Sequence, residues 1–360
     1  MIIWPAVLAL LISLAVTPLV RKLAFRVGVV DEPGAARKIH RRATPLLGGT
    51  AVYLAFVLGI SLAWVLGLLP GDNINAKNLA GLLLAGAILM VGGALDDRFD
   101  LKPRYQIIFP LLASVVVVTF GIGIDYVTNP LGGQLRLDSW EWIVLWWRGV
   151  PYKLTLPSDL FTVAWLLTVM YATKFADGLD GLVSGVTVIG ALLITVVSFM
   201  VDASQPDTAL VALVVVGAFL GFLRYNYNPA SIFLGEGGSV LAGFLLGSLA
   251  IVSGGKIATA FLVLGLPLFD LVFTVLRRLA AGRSPFSADR LHLHFRLLDS
   301  GLSQRQAVMF VWFVSALAGV SILVFLNGLK LALLPLFFSL TTAVGAAILT
   351  RRRIKDRNHG

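Results

Sequence analysis

Long apolar runs separated by short polar stretches constrain this chain more than any motif in it. Hydrophobic residues fill 58% of the 360 positions and charged residues only 13%. That balance belongs to a polytopic membrane protein, not to two or three soluble domains. In lipid, every backbone N–H and C=O must be paired within its own segment, so the runs are expected to be helices. Eleven spans are expected, at 2–20, 46–69, 78–95, 105–124, 158–173, 182–201, 206–223, 238–252, 255–276, 306–327 and 329–350. Several sit near the lower end of the ~17–25 residues a crossing helix needs, 158–173 and 238–252 most of all. Met1–Val20 is apolar throughout and reads as a first span rather than a cleaved leader. The expected fold class is all-α: one membrane domain over 1–350, then a basic tail over 351–360. With no cysteine in the chain, disulfides and zinc–thiolate sites are excluded.

The net charge of +10 would suit a nucleic-acid partner, but its distribution points to membrane orientation instead. With eleven spans, 23 of the 29 Lys and Arg residues fall on one side and six on the other: Lys77, Arg136, Arg148, Lys153, Lys256 and Lys330. The richer side is expected to be cytoplasmic, which puts the N-terminus outside. The longest outer segment is Asp125–Asp159. There 134–138, 142–147 and 152–156 read as short strands with Gly-Gly and Gly-Val-Pro turns. Trp140, Trp142, Trp146 and Trp147 suit a headgroup belt, so a small β-hairpin on the outer leaflet is expected there, not a site.

The unusual polar clusters all fall on the basic side. Arg37, Lys38, His40, Arg41 and Arg42 are denser than orientation requires; they suit a lipid phosphate as well as a positive anchor. Asp96 and Asp97 are adjacent acids at a helix C-terminus, the wrong pole for negative charge. Their mutual repulsion favours a metal or catalytic role over a solvated turn. Asp177 and Asp180, each followed by glycine, suit a Mg²⁺-phosphate site, although an Asp-capped turn would look the same. Glu236 sits between glycines at the mouth of a helix, with Ser239 as phosphate donor or simple cap. Further on come Asp289, Arg290, His292, His294 and Arg296, in a segment whose Leu291, Phe295 and Leu298 suggest an amphipathic surface helix. On such a helix His292 shares a face with Phe295 while His294 points away, so His292 is expected to matter more; an extended backbone would put both on one side. Asp270 lies inside the ninth span, a functional acid or one half of an ion pair.

Taken together, in this order, the loops resemble the polyprenyl-phosphate N-acetylhexosamine-1-phosphate transferases, the family that includes the enzyme making lipid I. The resemblance runs from Asp31 to about Ser303. It rests on Asp96-Asp97, on Asp177-Gly-Leu-Asp-Gly181, on Asn226 with Pro229-Ala230 before the glycine loop, and on the two basic histidine-bearing loops. Those two loops are closer to the branch that uses UDP-N-acetylglucosamine. Three positions depart from the family pattern: Lys174 stands where Asn is usual, Glu236 where Asp is usual, and Phe295 where a histidine is usual.

The resemblance implies transfer of a sugar 1-phosphate, GlcNAc-1-phosphate in that branch, from a UDP-sugar to undecaprenyl phosphate. UMP is released, and Mg²⁺ is the cofactor, with Mn²⁺ as an alternative. By this resemblance Asp96, Asp97, Asp177 and His292 are catalytic candidates, and Asp97, Asp177 and Glu236 metal ligands. Lys38, His40, Lys174, Asp180, Asn226, Arg290, His294 and Arg296 are candidates for substrate binding, Asp180 and Asp270 being more suited to fixing loop geometry. The partners implied are undecaprenyl phosphate, a UDP-sugar and the inner-membrane bilayer, with homodimerisation open and no nucleic acid. Lipid I-type transfer, a transporter and an inactive paralogue are the rival readings; a transporter would place its polar residues near the bilayer midplane.

Overall fold

A computed structural model of the chain describes residues 3–33, 42–69, 71, 73–128, 134–147, 150–200, 205–253, 264–280, 282 and 292–326. The described helices are α1 (Ile3–Val27), α2 (Gly48–Val65), α3 (Ala76–Phe99), α4 (Pro103–Gln106), α5 (Ile108–Thr119), α6 (Leu156–Ala176) and α7 (Leu182–Met200). They continue with α8 (Pro206–Asn226), α9 (Gly235–Val252), α10 (Gly265–Ala280), α11 (Leu293–Asp299) and α12 (Gln304–Leu326). Seven of these, α1–α3 and α6–α9, are long and apolar enough to cross a membrane. The chain is thus a polytopic, mostly helical membrane protein. Described helices overlie ten of the eleven expected segments; 329–350 and the tail 351–360 lie outside the described residues.

Several helix ends differ from the expected spans, and the differences place the polar residues. α3 runs to Phe99 and carries Asp96 and Asp97 inside its last turn, where Asp100 closes it in a left-handed conformation. Lys174 likewise belongs to the last turn of α6, and Glu236 to the first turn of α9. The expected span 105–124 is interrupted at Ile107, Pro103 starting α4 at a position where its missing N–H costs nothing. Hydropathy averages over a window, so it cannot see a last helical turn built from polar residues.

α9 is the central helix: 89% of its apolar stretch is buried, against 33% for α1 at the periphery. The start of α9 meets α2 and α3 through bare backbone. A Cβ on Gly49 would collide with Gly238, and one on Gly93 with Gly237. That close approach brings the C-termini of α3, α6 and α8 and the N-termini of α2, α7 and α9 to one end of the bundle. The other end is tied by Asp207, buried at the start of α8, which accepts backbone N–H groups of Gly71, Asn73 and Ile74.

Between α5 and α6 the expected single hairpin is two. β1 (Tyr126–Thr128) pairs with β2 (Gln134–Arg136), and β3 (Glu141–Trp147) with β4 (Val150–Thr155), both antiparallel. The Gly-Gly and Gly-Val turns lie outside the described residues, apart from Val150. Trp140, Trp142 and Trp146 are exposed. α6 leads from these strands to the polar end; its 21 residues span about 31 Å at 1.5 Å each.

Candidate active site

Asp96 and Asp97 answer their own repulsion by facing different donors. Asp96 Oδ1 accepts from the Leu101 N–H at 2.8 Å and from Gln106 Nε2 at 3.1 Å, which fixes the turn from α3 into α4. Asp97 Oδ1 accepts from the Glu236 N–H at 3.0 Å. The start of α9 has no side-chain cap of its own, so a carboxylate from α3 serves its free N–H groups and its positive pole. The wrong pole of one helix thus becomes the right pole of another.

Lys174 reaches into the same space from α6. Its ammonium forms an ion pair with Glu236 and donates to Gln106 Oε1 at 2.9 Å. It also lies 5.4 Å from the centre of the Tyr171 ring, one turn earlier on α6. Asp177 ends α6 as its C-cap. Its carboxyl is pushed up to about 8, first by loss of water and then by the neighbouring Glu236 and Asp180 charges. A small crevice lined by Gly93, Asp96, Gln106, Glu236 and Gly237 runs along this junction.

The second aspartate of that segment is tied into the protein. Asp180 Oδ2 accepts from Asn228 Nδ2 at 2.9 Å and from the Ala230 N–H at 3.0 Å. Asn226 accepts from the Ser184 hydroxyl at 2.8 Å and donates to the Ile232 carbonyl at 3.1 Å. Both therefore shape the loop between α8 and α9, and these hydrogen bonds run inward.

The histidine segment departs from the helix-face expectation. His292 precedes α11 in an extended conformation (φ −64°, ψ 152°), so the helical period starts only at Leu293. Asp270 holds it: its carboxylate bonds His292 Nδ1 at 2.7 Å and accepts the Leu293 N–H at 2.8 Å. Asp270 is thus an orienting and capping acid. The His292 and His294 rings stack at 5.7 Å with 1° between their planes, and Phe175 of α6 stacks on His292 at 5.9 Å. His294 does not point away. Its Nε2 is buried without a hydrogen-bond partner and lies against Gly178, where any Cβ would strike it. Burial pulls its pKa down to about 4, so the ring is neutral at physiological pH. Phe295 packs on His294 at 4.3 Å, and the Arg296 guanidinium lies 5.6 Å from the Phe273 ring centre.

The fold therefore gathers Asp96, Asp97, Lys174, Asp177 and Glu236 at one junction and places His294 against its edge. Lys38, His40 and Arg290 lie outside the described residues, as do Arg37, Arg41 and Asp289. Sequence reasoning passed over Gln106, Tyr171 and Asn228. Gln106 had a visible signal, a lone amide at the start of an apolar run; Tyr171 and Asn228 gain meaning only from their neighbours.

Among the described residues no three His, Asp or Glu side chains are close enough together to hold a metal ion as they stand. The donor set nonetheless suits one. Among the described residues, four carboxylates share a partly buried junction with one ammonium, and hard carboxylate oxygens are what Mg²⁺ takes.

Fold and site together define an integral-membrane protein with a partly buried acidic centre built from helix ends. Residues 79–254 match glycosyl transferase family 4. The chain is 30% identical over 325 residues to a probable undecaprenyl-phosphate N-acetylglucosaminyl 1-phosphate transferase of Bacillus subtilis, covering 88% of this chain and 83% of that one. It is 32% identical over 329 residues to a decaprenyl-phosphate N-acetylglucosaminephosphotransferase of Mycolicibacterium smegmatis, covering 84% and 77%. The undecaprenyl-phosphate alpha-N-acetylglucosaminyl 1-phosphate transferase of Escherichia coli is 30% identical over 309 residues, covering 82% and 76%. The chain belongs to glycosyl transferase family 4, among its polyprenyl-phosphate N-acetylhexosamine-1-phosphate transferases.

Proposed function

We propose that this protein transfers GlcNAc-1-phosphate from UDP-N-acetylglucosamine to undecaprenyl phosphate and releases UMP. In this reaction an oxygen of the lipid phosphate bonds to the phosphorus that carries the sugar. The bond from that phosphorus to the bridging oxygen breaks, and the oxygen leaves with UMP. The observation that carries the reading is the partly buried acidic junction, in a chain alike to such transferases over most of its length. Asp97, Asp177 and Glu236 would hold Mg²⁺ or Mn²⁺, which when bound offsets the charge of the phosphates. Lys174 brings a second positive charge to the same space, and His292, oriented by Asp270, presents its free Nε2 as a hydrogen-bonding group. A polar centre at the helix ends, away from the middle of the bundle, favours this reading over a transporter.

Purified protein with Mg²⁺, undecaprenyl phosphate and UDP-GlcNAc is expected to release UMP in parallel with lipid product. UDP-GalNAc and UDP-MurNAc-pentapeptide should be poorer donors. Absence of UMP with every donor would leave the transporter or an inactive paralogue.

The site is placed at the cytoplasmic face of the inner membrane, with eleven crossings and the N-terminus outside, on the strength of the 23-to-6 division of Lys and Arg. Reporter fusions after Asp125 and after Asp177 are expected on opposite sides. Finding both on one side would end this topology.

A further inference from the structure

Among the described residues, the acidic junction is bridged by one cation of the chain's own. Lys174 is 13% and Glu236 22% exposed in their side chains, so the pair stands largely apart from solvent. The bridge continues through Gln106, whose Oε1 accepts from Lys174 while its Nε2 donates to Asp96. A single line of contacts, Asp96–Gln106–Lys174–Glu236, therefore joins α3, α4, α6 and α9. Beside it, the His294 Nε2 atom is buried without a partner against Gly178, next to Asp177. Buried polar atoms are normally satisfied, so this one marks a place where a ligand's polar group would be received.

We propose that Lys174 is the resident counter-ion of this junction, competing with a divalent cation for Glu236 and released from it when that cation binds. The inference rests on the reading of the acids as a divalent-cation site. Its physical basis is that an ammonium and a divalent ion on the same carboxylate repel each other strongly where water is scarce. While paired, Lys174 spares Glu236 the cost of burying a lone charge. Once displaced, it is a compact ammonium on a flexible stem beside an arriving phosphate. Lys174 would thus weaken cation binding to the protein alone and make it depend on the phosphate that takes the ammonium over. The rival is a plain tether: Lys174 as a strut between helices, without influence on the cation.

The test is Mn²⁺ binding to the purified full chain without substrates, read from the electron paramagnetic resonance signal of the free ion. Lys174→Met keeps the stem and removes the charge, Lys174→Gln keeps a hydrogen bond, and Lys174→Arg keeps the charge. Met and Gln variants are expected to bind Mn²⁺ about tenfold or more tightly than the parent, the modest end of what a unit charge at contact distance exerts at an effective dielectric of about 20. Arg should bind like the parent. Thermal unfolding gives an independent reading: without metal the Met variant should melt below the parent, and Mn²⁺ should raise its Tm more. Met and Gln variants that bind Mn²⁺ no more tightly than the parent would overturn the inference while leaving the cation site in place. If neither the folded parent nor the folded variants bind Mn²⁺, the cation reading itself fails and the inference with it.

Discussion

Asp97→Asn protein is expected to fold and melt like the parent yet release UMP at least about a hundredfold more slowly. The side chain has two duties, and Asn separates them. Its amide oxygen can still accept the Glu236 N–H that Asp97 Oδ1 now accepts at 3.0 Å, so the cap on α9 survives. What disappears is the negative charge at the junction with Asp177 and Glu236. Asp97→Ala removes the cap as well and should lower stability by about 0.5–2 kcal/mol, the usual range for a lost N-cap. UMP release and thermal melting, measured on both variants, keep the duties apart. Near-parental turnover in the Asn variant would take Asp97 out of the chemistry. An Ala variant as stable as the parent would show that α9 does not need it.

His292→Ala and His294→Ala are expected to lose activity to a comparable degree, each by about tenfold or more. The helix-face argument predicts a dominant His292. The expectation of comparable losses follows from the geometry, in which His292 precedes the helix and the two rings stack as a unit beside Gly178. Stability should split them. His292→Ala leaves the Asp270 carboxylate without the ring nitrogen it bonds at 2.7 Å, a loss of about 1–3 kcal/mol for a buried charged group. His294→Ala removes a ring whose Nε2 has no bond to lose, so only its packing goes. A UMP-release loss confined to His292 would restore the helix-face geometry; equal melting temperatures would argue against the Asp270 contact.

That this chain is a bundle of membrane helices was legible in its residues alone, because lipid leaves the backbone of a long apolar run one way to pair its polar groups. The residues also marked the acids at helix ends, since a carboxylate is too costly to face hydrocarbon. The strands before α6 were visible for a similar reason, short alternating segments between glycine turns. These are local costs, carried by each residue wherever its neighbours stand. The partners of these groups came from the packing of distant helices. Asp97 caps a helix 139 residues away, Lys174 meets Gln106 across 68, and Asp270 holds His292 across 22. Such pairings depend on how closely helices approach, and here bare glycine backbone at Gly49, Gly93, Gly237 and Gly238 sets that distance. The start of α11 at Leu293, which put both histidines on one side, was likewise hidden. The acid that caps it sits on another helix, where no local pattern reaches.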